Sequence, residues 1–116
     1  MNHSTGKPTR AQAWRLEQLA GMRCIACVIE GRAQPHRTEV HHITDKGYRR
    51  LSGGHDATLP LCSWHHRGIP PNGMKTDEAI FHYGPSLALN KKRFIETYGT
   101  ERELLETVNG LLARVA

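Results

Sequence analysis

Apolar residues recur at helical spacing near the start of the chain and again at its end. Ala13, Leu16, Leu19 and Ala20 share one face, with Trp14 beside them and Gly21 as a stop. Thr9-Arg10-Ala11-Gln12 has the form of a capping box that opens this helix. Thr100-Glu101-Arg102-Glu103 repeats the device and leads into Leu104, Leu105, Val108, Leu111 and Leu112 on one face of a terminal helix.

Between these helices the pattern shortens. Residues 38–43 are rich in β-branched side chains and predict a short strand. Residues 58–61 predict a second one, which Pro60 confines to an edge or to the strand's end. Residues 22–35 carry a Cys-x-x-Cys and then the turn signals Gly31 and Pro35, and residues 46–55 read as a basic loop with three glycines. Residues 62–67 have no strand pattern and suit a short helix ended by Gly68, Pro70 and Pro71. Further short helices are expected at 76–82 and 90–98, closed by Gly84-Pro85 and by Gly99. With no repeat, linker or low-complexity tract, the expectation is a single α+β domain over 9–116 behind a flexible segment, 1–8.

Composition changes this picture at one point. Of 116 residues, 38% are hydrophobic and only 6% aromatic, and mean hydropathy is -0.56. So thin a core usually needs a staple: a metal, disulfides or a partner. Three cysteines are an odd number for a closed disulfide framework, and a Cys-x-x-Cys in a reducing compartment reads as metal or redox. A thiol oxidoreductase would require a βαβ setting around the motif, and none is visible. No apolar run reaches membrane-spanning length and no apolar leader opens the chain, so a cytoplasmic protein without membrane association is expected. The net charge of +5 is compatible with a polyanionic partner such as DNA, but many basic domains bind none.

Two clusters carry candidate chemistry. Cys24-x-x-Cys27 and Cys62-x-x-His65 can each clamp one side of a tetrahedral ion, and Cys3His is a common structural zinc set. Such a site couples metal binding to folding, which would compensate for the small core. The alternative for Cys24 and Cys27 is two small buried apolar residues. The second cluster is His41, His42 and His66. Neighbours on a strand point to opposite faces, so His41 and His42 do not readily ligate one ion together. One can hold a metal while the other addresses a substrate. His65 and His66 divide in the same way, one completing the zinc set and the other facing elsewhere.

The order Cys-x-x-Cys, Glu39-Val40-His41-His42-Ile43, then Leu59-Pro60-Leu61-Cys62-x-x-His65-His66 resembles the HNH endonuclease motif on a zinc-bound ββα-metal (His-Me finger) scaffold. Leu61-Cys62-Ser63-Trp64-His65-His66-Arg67-Gly68, Gly84-Pro85-Ser86-Leu87 and the run from Lys91 to Thr100 are similar to the phage-encoded Ref family of RecA-dependent recombination nucleases. The resemblance spans about residues 22–106. It implies a metal-dependent DNA endonuclease of low sequence specificity in the bacterial host cytosol, acting in phage or prophage recombination on RecA-coated DNA and leaving 5′-phosphate and 3′-hydroxyl ends. It implies His42 as general base, His41 and His66 as ligands of a catalytic Mg²⁺, Mn²⁺ or Zn²⁺, and Cys24, Cys27, Cys62 and His65 as structural zinc ligands.

Two positions depart from the motif. Its asparagine falls on Ala57, which leaves His55, Asp56, Thr58 or no residue to orient the base. Two protein ligands hold an ion loosely, and His82 is a candidate third, against the alternative of a surface histidine at a helix end. Lys46, Arg49, Arg50 and Arg67 are candidate phosphate contacts, which position DNA without reading its bases. Other readings are a non-catalytic zinc-bound DNA-binding module, and a structural zinc protein that binds a protein partner through its terminal helix.

Overall fold

The computed structural model of the chain describes residues 5–116. Helix α1 (Arg10–Ala20) leads into a short α2 (Ile25–Glu30), strand β1 (Thr38–His42), a one-turn α3 (Arg49–Ser52) and a 3-10 turn at Gly54–Asp56. Strand β2 (Thr58–Cys62) runs directly into α4 (Ser63–Arg67), and α5 (Thr76–Tyr83), α6 (Lys91–Tyr98) and α7 (Glu101–Ala113) follow. The result is an α+β fold built on a two-stranded antiparallel sheet, in which His41 pairs with Leu59 and His42 with Thr58.

Both expected capping boxes form. The Thr9 side chain accepts from the Gln12 amide in α1, and that of Thr100 from the Glu103 amide in α7. α7 buries Leu104, Leu105, Val108 and Leu112, as its stripe requires, while α1 buries only Leu19. Every residue of β2 is buried, because α1, α2, α4 and α7 all pack against it. A two-stranded sheet has only edge strands, so Pro60 needs no special accommodation. Trp64, Phe94, Ile43, Leu59 and Leu61 complete the core, and Trp64 Nε1 donates to the Gly84 carbonyl at 3.0 Å.

The structure adds elements where turns or a loop were expected: α2 follows Cys24, α3 falls inside 46–55 and the 3-10 turn runs across the end of that loop. These are one or two turns long, too short for apolar periodicity to register. Of the expected flexible segment, residues 1–4 lie outside the described residues. At Gly6 the chain is engaged, its carbonyl accepting a hydrogen bond from His55 Nε2 at 2.8 Å. No helix among the described residues is long and apolar enough to cross a membrane.

Candidate metal centre and catalytic site

The two halves of the cysteine cluster are built alike. Cys24 is the residue before α2, and Cys27 lies one turn in. Cys62 is the residue before α4, and His65 lies one turn in. Positions i and i+3 share a helix face, so each short helix aims two ligands the same way. Each then ends at a left-handed glycine, Gly31 at φ 68° and Gly68 at φ 71°. At Gly68 a Cβ would also run into the Leu89 side chain.

The four ligand atoms converge within 4.8 Å of one another, all on buried residues. His65 Nδ1 lies 3.5 Å from Cys24 Sγ, 3.5 Å from Cys27 Sγ and 3.4 Å from Cys62 Sγ. Zinc–sulfur and zinc–nitrogen bonds of about 2.3 and 2.0–2.1 Å at a tetrahedral angle separate S from N by about 3.5 Å. The donor set therefore fits a zinc ion in spacing as well as in chemistry. The electrostatics point the same way. Hydrogen bonds from Cys27 and Cys62 hold the Cys24 thiol far below its ordinary range, while hydrogen bonding to Cys24 and Cys62, with burial and the charge on those neighbours behind it, drives Cys27 far above it. A divalent cation is the group that lets all three ionise together.

Supporting contacts orient these ligands. His65 Nε2 donates to the Tyr83 carbonyl at 2.7 Å, which leaves Nδ1 to face the sulfurs. Tyr98 Oη donates to the same carbonyl at 3.2 Å. The Cys24 amide donates to Gln34 Oε1 at 2.6 Å.

The other histidines part company on β1. His41 faces α4 and α7: its ring is edge-on to His66, centroids 4.9 Å apart, and Nε2 donates to Glu101 Oε1 at 2.6 Å. His66 Nδ1 donates to Glu39 Oε1 at 2.9 Å. Arg67 grips both oxygens of that carboxylate and holds Glu39 down at about 2, so Glu39 is an anion that can only accept. Burial lowers His66 from its ordinary value, reinforced by His41, so a neutral ring with a free Nε2 lone pair results. His42 turns instead to His55, Nε2 to Nδ1 2.9 Å. Burial, helped by the charge of Arg49, pushes His42 down to about 4, so it is neutral and able to accept a proton at neutral pH.

An open cleft runs beside this cluster, lined by His41, His66, Arg67, Leu87, Lys91 and Glu101. Lys46, Arg49 and Arg50 are exposed on the segment that follows β1. Arg67 is exposed as well, with its charge matched by Glu39. His82 is not brought to the cluster. Its exposed ring packs on Phe81 and Tyr83, and its carbonyl accepts from Arg32. The fourfold set of Cys24, Cys27, Cys62 and His65 is the one group of three or more metal-type ligands that converges among the described residues.

Two residues of the site went unread in the sequence. Glu39 was findable: it lies two residues before His41, hence on the same strand face. Glu101 carried no local sign beyond its place in a capping box, since it lies 60 residues from His41.

Fold and site together describe a small α+β protein with a buried Cys3His set able to hold a metal, next to an open histidine cleft. The chain belongs to the family described as recombination enhancement, RecA-dependent nuclease, which it matches over residues 8–113. It is therefore a nuclease of a recombination family, as its motifs implied, and DNA is the substrate this membership carries.

Proposed function

We propose that the protein is an HNH-type endonuclease with a ββα-metal core of β1, β2 and α4, cutting DNA at the cleft beside His41 and His66. The observation that carries this reading is the parting of two adjacent histidines: His41 toward His66 and Glu101, His42 toward His55. His41 and His66 would hold the catalytic ion by the nitrogens their carboxylate partners leave free. Glu101 and Glu39 orient the rings and raise their basicity, as carboxylates behind metal-bound histidines commonly do. A Mg²⁺, Mn²⁺ or Zn²⁺ bound there supplies electrostatic stabilisation to the phosphate and to the leaving 3′ oxygen. His42 takes the proton of the attacking water, and its depressed basicity keeps it in the accepting form. A structural zinc held by Cys24, Cys27, Cys62 and His65 would fix the start of α4 and with it His66.

Lys46, Arg49 and Arg50 contact phosphates along the duplex, and Arg67 does so by exchanging Glu39 for a phosphate oxygen. Such contacts carry no base identity, in keeping with low sequence specificity. His82 is left out of the ligand set, because its contacts lie elsewhere. The test is a nicking assay on single- and double-stranded DNA with each ion, with and without RecA filaments. Metal-dependent cleavage supports the reading. Salt-sensitive binding without cleavage under every condition overturns it and favours a non-catalytic zinc-bound DNA-binding module.

A further inference from the structure

Next to His42 lies a second imidazole that is engaged at both nitrogens. His55 sits in the 3-10 turn and is only 9% exposed. Its Nε2 is 2.8 Å from the Gly6 carbonyl oxygen, and its Nδ1 is 2.9 Å from His42 Nε2. A carbonyl oxygen only accepts, so His55 Nε2 carries a hydrogen. In the neutral ring that leaves His55 Nδ1 as an acceptor. His42 Nε2 must then donate to it, and the lone pair of a neutral His42 falls on Nδ1.

The neighbouring groups are engaged elsewhere. Asp56 accepts from Gln12 at 3.0 Å. The Thr58 hydroxyl and carbonyl both accept from Arg15 at 2.8 Å. Ala57 has no polar side chain, and its carbonyl accepts from the Ile43 amide. We propose that His55, anchored by the Gly6 carbonyl, is a positioning residue that locks His42 in its Nε2–H tautomer and so makes Nδ1 the proton-accepting atom. This rests on the reading of His42 as the base. It also makes the stretch before α1 a working part of the site, because Gly6 fixes the far end of the relay. An unfixed histidine divides itself between two tautomers and several orientations, only one of which presents its lone pair to water.

Two substitutions separate the ends of the relay. In His55→Asn the side-chain oxygen falls where Nδ1 was, so the acceptor for His42 survives and the link to Gly6 is lost. In His55→Gln the amide reaches toward Gly6 but offers no acceptor at the Nδ1 position. The experiment is long-range ¹H–¹⁵N NMR of the full zinc-loaded chain, reading the His42 tautomer, beside single-turnover DNA cleavage. The expected result is Nε2–H His42 in the wild type and in His55→Asn. In His55→Gln that tautomer is lost and the single-turnover cleavage rate falls about 10–100-fold at unchanged DNA affinity and zinc content. An Nδ1–H His42 in the wild type overturns the proposal, and so does His55→Gln with wild-type tautomer and cleavage rate. Should His55→Gln fail to fold, the wild-type and His55→Asn tautomers still decide. His42→Ala in the same assay keeps the two claims apart: if it cleaves like the wild type, the base assignment itself falls.

Discussion

His41 Nε2 and Glu101 Oε1 meet at 2.6 Å, joining the end of strand β1 to the first residue of α7. Glu101 is only 5% exposed, so its carboxylate depends on that imidazole for much of its solvation. Glu101→Gln should lower cleavage about 10–100-fold, the usual cost of losing an outer carboxylate behind a metal-bound histidine. Zinc content should stay unchanged. Wild-type kcat with Glu101→Gln would remove His41 from the ligand set.

Removal of zinc should unfold the protein rather than merely silence it. Structural zinc sites in small domains are worth about 10–16 kcal/mol of apparent binding free energy, as much as a whole domain's stability. Circular dichroism with a strong chelator should show loss of helix, reversed by added zinc. Cys62→Ser should retain little zinc and melt at a lower temperature. A chain that keeps its melting temperature in chelator would contradict the assignment.

The two glycine caps make a graded pair. Gly31→Ala places a Cβ in open space and should cost only the left-handed backbone penalty, about 1–2 kcal/mol. Gly68→Ala carries the same penalty and adds a collision with Leu89, so it should cost more. Denaturant midpoints of the two variants measure the difference, and equal losses would argue against the tight seat of α4 on Leu89.

Much of this architecture was legible in the chain because its signals are local. Thr9 with Gln12 and Thr100 with Glu103 sit three residues apart, and so do the members of each half of the Cys3His set. Strand alternation divided His41 from His42 for the same reason. Glu39, two residues before His41, was open to the same reasoning, but Glu101 and His55 were not. Glu101 reaches His41 only once α7 has packed across β2, and His55 reaches His42 only because the turn at Gly54–Asp56 folds back beside β1. A helix as short as α2 escapes periodicity altogether, although the spacing of its cysteines is that of one helical turn.

Asp45 should impose a pH dependence on stability. Arg102 holds its carboxyl below the usual range through a bidentate pair, Nε and Nη2 at 3.0 and 2.8 Å. A carboxyl depressed in the folded state stabilises at full strength above its unfolded value, near 3.8, and the benefit disappears as pH falls through the lower folded value. Asp45→Asn should therefore melt below the wild type by a constant margin from pH 8 down to about 5. The margin should narrow as pH drops further. A margin that widens in acid would contradict the pairing.

In the proposed mechanism His42 supplies the base, while the Cys3His centre, a separate device, holds the fold through its metal. Single-turnover cleavage by His42→Ala, with zinc content and melting temperature measured on the same sample, separates the two roles. The expected outcome is wild-type zinc, a nearly unchanged melt and a cleavage rate lower by about 10²–10⁴. A variant with intact zinc and fold that cleaves at the wild-type rate would contradict it.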